Sequence, residues 1–220
     1  QDDYRARWLS KSTPWFKAHV PADVPKVVVY PFAGGDLSTA LTVYPDADEI
    51  TTLSLEPAGD PRALGALRGE ALEAAMKTIR AELKFLYVVN FSNTKNMIDA
   101  MRQGQLPTQL VFGLSALLLH DDEEVAMRYF KLGDDGAVRY LTAADVAAAG
   151  PPRPGSAERR NRVFANVEVQ FRKRGGARVQ TYRHIQANLD DAHLAKDPRV
   201  LRYLEARGER IAAMTKAASY

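Results

Sequence analysis

The chain has 220 residues, 46% of them hydrophobic and 26% charged, with a mass of 24.3 kDa and a mean hydropathy of −0.30. That is enough chain to bury a core without staples, and the composition excludes a disordered tail or a fibrous repeat. The absence of cysteine excludes disulfides, thiol nucleophiles and thiolate metal sites. The net charge of +3 is too mild to imply a polyanion partner, and no apolar run approaches the roughly eighteen residues of a membrane-spanning helix.

Residues 1–25 are polar and punctuated by Pro14, Pro21 and Pro25, yet carry Trp8, Trp15 and Phe16. They read as an arm lying on the body of the molecule, with the tryptophans packed as hydrophobic anchors. A single α/β domain is expected over 26–220. Val27-Val28-Val29-Tyr30 is a short β-branched run of the kind buried on both faces in a parallel sheet. Pro31-Phe32-Ala33-Gly34-Gly35-Asp36 follows as a turn, Leu37 to Tyr44 as a short helix, and Ile50 to Leu55 as a second strand closed by Glu56-Pro57-Ala58-Gly59.

Asp60 then stands as an N-cap with Pro61 at the first helical position, and Leu64, Leu67, Ala71, Ala75, Ile79, Leu83 and Leu86 predict one long amphipathic helix. A polar interruption over 90–96 precedes a short helix from Met97 to Arg102, and Leu106 to Leu119 reads as a buried helix. Beyond Glu123 the period changes. Val125 to Leu132 and Ala137 to Leu141 predict a hairpin around Gly133-Asp134-Asp135-Gly136, and Thr142 caps an alanine-rich helix ending at Ala148. Gly150 to Ser156 is read as a mobile surface loop. Val163 to Phe171 and Val179 to Ile185 predict a second hairpin around Gly175-Gly176, and a last helix is expected from Asp197-Pro198 to Ala218. The fold class is therefore α/β: a three-layer mixed sheet with a Rossmann-like start, parallel in its first strands, with later antiparallel hairpins.

In nucleotide-binding α/β folds a glycine-rich turn after the first strand faces the ligand, and an acid some twenty residues on holds a ribose hydroxyl. Asp36 and Glu56 stand at that spacing. The segment resembles the opening of class I S-adenosylmethionine-dependent methyltransferases, which implies S-adenosylmethionine as cofactor. Phe32 stands where that family has its first glycine, and Asp36 where it has its last. An anionic Asp36 at a helix N-terminus favours the helix by about 0.3–1 kcal/mol and repels a phosphate at the same place.

The turns YPFAGGD and LEPAGD, the 94–97 TKNM stretch, Leu106-Pro107, Ala187-Asn188-Leu189-Asp190-Asp191 and the terminal KAASY together resemble a family of bacterial proteins with YPF-x-G-x-D, GLEP-x-G and KSASY-like motifs. That family has no established activity, and many members are exported or lipid-anchored. The resemblance covers residues from about Trp15 to Tyr220, with Ser54 replacing the glycine before LEP and Ala217 the serine of KSASY. It implies that Tyr30, Pro31, Phe32, Gly34, Asp36, Glu56, Pro57 and Gly59 form one site or one structural knot, and it favours a periplasmic or cell-envelope location. It also implies a chain that continues past Tyr220, and Gln1 is read as following a removed segment.

The histidines form no helical metal pair. Asp190-Asp191-Ala192-His193 reads as a turn before a helix, and His184 as a half-exposed strand residue. A Ser54–His120–Asp36 triad lacks any nucleophile-elbow motif. Residues 151–185 hold nine Lys or Arg against two acids, a balance of +7 that leaves −4 for the rest. This stretch reads as a solvated rim, with a polyanion or nucleic-acid grip as its alternative. The leading expectation is a small-ligand edge built from Tyr30, Phe32, Gly34, Gly35, Asp36, Glu56 and Gly59, with Asn90, Ser92 and Lys95 as contributors. A methyltransferase-like enzyme and a polyanion binder stand beside it.

Overall fold

A computed structural model describes residues 2–31, 36–84, 106–151, 162–208 and 210–213. The expected helix at 97–102 and most of the 150–156 loop fall outside these, as do Asn90, Ser92 and Lys95. Residues 2–19 form a helix, α1, in three contiguous pieces: an α turn Asp2–Tyr4, a π-helical stretch Arg5–Leu9 and an α-helical Ser10–His19. The strands are β1 Val27–Tyr30, β2 Glu49–Ser54, β3 Asp122–Leu132, β4 Val138–Tyr140, β5 Asn166–Lys173, β6 Gln180–Gln186 and β7 Ile211–Ala213. After α1 come α2 Leu37–Val43, α3 Arg62–Ala66, α4 Gly69–Lys84, α5 Thr108–Leu119, α6 Ala143–Ala148, α7 Asp191–Lys196 and α8 Arg199–Glu205.

The strands make one seven-stranded mixed sheet in the order β4-β3-β5-β6-β2-β1-β7. β1 runs parallel to β2 and β7, and β2 parallel to β6. The two expected hairpins supply the antiparallel half. Period-two alternation sorts the side chains between two faces. One cross-strand row is Tyr30, Thr52, His184, Val167 and Tyr129. It belongs to the larger core, which α2 and α5 cover with Leu37, Leu41, Leu110 and Leu117. Neighbouring positions point the other way, where Val29, Leu53, Phe130 and Ile185 meet Val200 and Tyr203 of α8. Helices on both faces make the three layers.

Four expectations change. The single long helix is two, because Leu67 is extended (ψ 133°) and Gly69 takes φ +51°. Two glycines in this stretch make continued helix unfavourable, and Arg68 Nη1 donates to the carbonyls of Gly65 and Leu67 at 2.9 and 2.7 Å, satisfying the freed end of α3. α4 then packs through Ile79 and Leu83 on the start of α5. At the C-terminal end, α8 stops and Gly208 (φ +70°) turns the chain so that Ile211–Ala213 pairs with β1. The outer edge of β1 offers backbone partners that a further helix would leave unmet. The N-terminal arm is helical, and Trp15 is not an anchor: it is 55% exposed, Trp8 is half-buried against Tyr4, and Tyr4 alone is buried on α1. Lastly, His184 is fully buried, because β6 is an interior strand with helices above that face.

Candidate functional site

Because β1 and β2 are parallel neighbours with Tyr30 opposite Thr52, the turns leaving them emerge at the same edge of the sheet. The strands that lead toward Asp36 and Glu56 are thus immediate neighbours. Phe32, Gly34 and Gly35 lie outside the described residues. Tyr30 is fully buried at the end of β1, and its hydroxyl is pushed above the usual phenol range, first by burial and then by the Asp36 charge. Asp36 occupies the N-cap position of α2 without a capping hydrogen bond from its side chain.

The second turn is stitched down along its backbone. The amides of Ala58 and Gly59 donate to the carbonyls of Ala165 and Phe164 at 2.9 and 3.1 Å. The Ala58 carbonyl accepts from Leu110 N at 3.0 Å, and that of Gly59 from the Tyr129 hydroxyl at 2.6 Å. His184 Nε2 lies 2.8 Å from the Glu56 carbonyl, while its Nδ1 lies 3.2 Å from Thr52 Oγ1. Gly59 has φ +96°, a conformation that side chains with a Cβ rarely adopt. The Ala58 and Gly59 amides are therefore engaged within the protein, and this turn offers the half-exposed Glu56 side chain. The next helix starts one residue later than expected, with Pro61 at its N-cap and Asp60 just before it: the Asp60 Oδ1 accepts the Arg62 amide at 3.0 Å, and Arg62 in turn lies 4.7 Å over the Phe164 ring.

A polar cluster that sequence reasoning missed sits at the first turn of α2. Ser38 Oγ, 1% exposed, lies 2.9 Å from both the Tyr4 hydroxyl and His120 Nε2. Burial, then the Lys173 charge, push the His120 imidazole down to about 4, against the Ser38 contact and aided by Arg5. His184 is likewise pushed down to about 4 by burial, opposed by its bond to Glu56. The Ser54–His120–Asp36 triad is not assembled, since His120 meets Ser38 while Ser54 Oγ accepts the Glu56 amide at 3.2 Å. Partners 34 and 82 residues away leave no local trace of this cluster. The one available signal is that three hydroxyls, Ser38, Thr39 and Thr42, interrupt a helix otherwise fit for burial.

The basic hairpin is not a free rim. Arg172 pairs with Glu123 at 2.8 Å, Lys173 with buried Asp122 at 2.7 Å, and Arg174 with Asp121 at 3.4 Å. Arg178 reaches Asp48 at 2.7 Å. Arg183 joins Glu49 and Glu168, the latter at 2.8 Å, and Arg207 holds Glu49 from the other side at 2.5 Å. The cations of this stretch whose side chains are described, Arg172, Lys173, Arg174, Arg178 and Arg183, are met by acids at 46–49, 121–123 and 168. Burial alone would raise the Glu49 carboxyl, but Arg207 and Arg183 overcome it and hold it below the usual range.

Asp190 caps α7 by accepting the Ala192 amide at 3.0 Å and contacts His193 at 3.2 Å, as a turn should. Among the described residues no group of three or more His, Asp or Glu is placed to hold a metal, and no helix is long and apolar enough to cross a membrane. No protein-family model, curated protein or solved structure matches the chain.

Proposed function

We propose that the chain binds a small hydroxyl- or amine-bearing ligand where the turns after β1 and β2 meet. The supporting observation is the parallel register of β1 and β2, whose carboxyl ends lead toward Asp36 and Glu56 and are the place where open α/β sheets hold ligands. Two carboxylates accept hydrogen bonds and attract positive charge, and the engaged amides of Ala58 and Gly59 disfavour a phosphate on the second turn. A sugar, a nucleoside or an amine fits this chemistry better than a phosphoester. Adenosine-containing ligands, S-adenosylmethionine among them, belong to the same class, since an acid after the second strand suits a ribose diol.

A thermal-shift screen of the full chain against polyols, nucleosides, amines and S-adenosylhomocysteine, repeated on Asp36→Ala and Glu56→Ala, tests the reading. The expected result is a ligand that raises Tm in the parent and loses most of that effect in both variants. Ligands that shift parent and variants equally, or none that binds at about 10 mM, would overturn it. Binding of S-adenosylhomocysteine would direct the reading toward a methyltransferase-like enzyme.

A further inference from the structure

The Glu56 carboxylate makes no hydrogen bond or ion pair among the described residues, while both polar groups of its backbone are taken. Its amide donates to Ser54 Oγ at 3.2 Å, and its carbonyl lies 2.8 Å from His184 Nε2. The Leu55 carbonyl before it accepts from Gln186 Nε2 at 2.8 Å. Pro57 after it restricts the backbone of the residue it follows. An unengaged side chain on a held backbone is what a preorganised binding group needs, provided that the groups holding it are themselves locked.

His184 is fully buried on β6 opposite Thr52 of β2, and shares its face of the sheet with Tyr182. The contacts among these groups allow one set of hydrogen positions. A backbone carbonyl can only accept, so His184 Nε2 carries the hydrogen and donates it to Glu56. Burial keeps the ring neutral, so Nδ1 is bare, and the Thr52 hydroxyl donates to it across 3.2 Å. With its one hydrogen spent, Thr52 Oγ1 accepts from the Tyr182 hydroxyl at 3.1 Å. The result is a one-way chain that runs from Tyr182 through Thr52 and His184 to Glu56. Its inner end is fixed by packing, because Tyr182 lies against Gly113 of α5, where a Cβ would come 2.8 Å from the ring.

We propose that His184, locked as its Nε2–H tautomer by this chain, is the positioning residue of the ligand site: it holds the Glu56 backbone, and with it the carboxylate that meets the donors of the ligand. The proposal rests on the reading of Glu56 as a ligand group. His184 itself touches no ligand and acts through Glu56, as an outer partner orients the group that makes the contact. Neutral imidazole suits the place because it offers a donor to the carbonyl on one side and an acceptor to the hydroxyl on the other, without a buried charge.

The test follows the imidazole nitrogens by NMR in full-length protein with isotope-labelled histidine at neutral pH, together with hydrogen exchange over 55–59. His184 should show a protonated Nε2 and a bare Nδ1. Thr52→Val, which keeps the shape and removes the donor, should move the Nδ1 resonance toward that of a bare nitrogen with no donor. His184→Phe should speed exchange of the Glu56, Ala58 and Gly59 amides by about tenfold, the worth of one neutral hydrogen bond. His184→Gln keeps a donor and should restore most of the protection. A hydrogen on Nδ1 alone, an Nδ1 resonance unmoved in Thr52→Val, equal exchange in parent and His184→Phe, or no rescue by His184→Gln would overturn the proposal. The nitrogen resonances decide even where His184→Phe fails to fold. A ligand found in the Tm screen should shift Tm less in His184→Phe and regain its effect in His184→Gln, and equal shifts in all three proteins would also overturn it. Tautomer and exchange are read without ligand, so an intact chain in a protein that binds nothing refutes the ligand reading and leaves the hydrogen-bond chain standing.

Discussion

Replacing Glu168 by glutamine should cost the protein a large part of its stability. Glu168 sits on interior strand β5 with its side chain 1% exposed. It accepts from Arg128 Nη2 at 2.8 Å, from Arg183 Nε at 2.8 Å and from the Tyr140 hydroxyl at 2.9 Å. An amide keeps the shape but removes the charge, so two charge-assisted bonds of about 1.5–3 kcal/mol each fall to about 0.5–1.5. The new NH2 also faces donors, which leaves a buried donor unmet at about 1–3 kcal/mol. The sum is about 3–5 kcal/mol, the range seen when one member of a buried pair is removed. At about 2–4 °C per kcal/mol for a chain of this size, Tm should fall by roughly 6–20 °C. The assay is urea denaturation followed by circular dichroism, comparing midpoints at constant m. Arg128→Ala is the internal control. That guanidinium is 46% exposed and stacks 3.7 Å over the outward Tyr140 ring, so its loss should stay within about 1 kcal/mol. A Glu168→Gln cost below about 1 kcal/mol, or an equal cost for Arg128→Ala, would show that the row of charges across the sheet is not cooperative.

Gly136→Ala should destabilise by more than about 2 kcal/mol, because φ is +78° and the new Cβ would meet the backbone of Arg202 at 2.6 Å and Tyr203 N. Gly69→Ala, with φ +51° and open space around it, should cost only about 1 kcal/mol; equal denaturation midpoints for the two variants would refute this. The histidines set an acid limit. His120 and His184 are pushed down to about 4 in the folded state, below the unfolded value of about 6.5, so the unfolded chain takes up protons first as pH falls. Stability they contribute is intact above pH about 6.5 and is lost toward pH 4, by up to about 1.4 kcal/mol per pH unit for each ring. NMR of the imidazoles should show both still neutral at pH 5, and a ring titrating near 6.5 would contradict the buried geometry.

Strands with strong local pattern were readable: Val27–Tyr30 by its β-branched run, and the 166–186 hairpin by alternation about Gly175-Gly176. Alternation tells which residues share a face but not whether a strand lies inside the sheet, which is why His184 looked half-exposed. Ile211-Ala212-Ala213 is too short to have a period, and β1 selects it as a strand by tertiary pairing. The side-by-side ends of β1 and β2 followed from parallel strands. The engagement of the Ala58 and Gly59 amides did not, because their partners, Ala165 and Phe164, lie more than a hundred residues away. The same holds for charge: a nine-cation segment is visible at once, while the acids that match its described members, Arg172, Lys173, Arg174, Arg178 and Arg183, are scattered in sequence and gathered by the sheet.

The pairing of β7 with β1 bears on the order in which the protein can be made. β7 follows β1 by about 180 residues, so the outer border of β1 stays bare until the 211–213 segment has been synthesised. That border is Val-Val-Val-Tyr, a short apolar template with no charge to discourage a foreign strand. A chain released early, or clipped after α8, would hold most of its core yet present this template to its neighbours, so the closing strand guards the nascent protein against association through its own first strand.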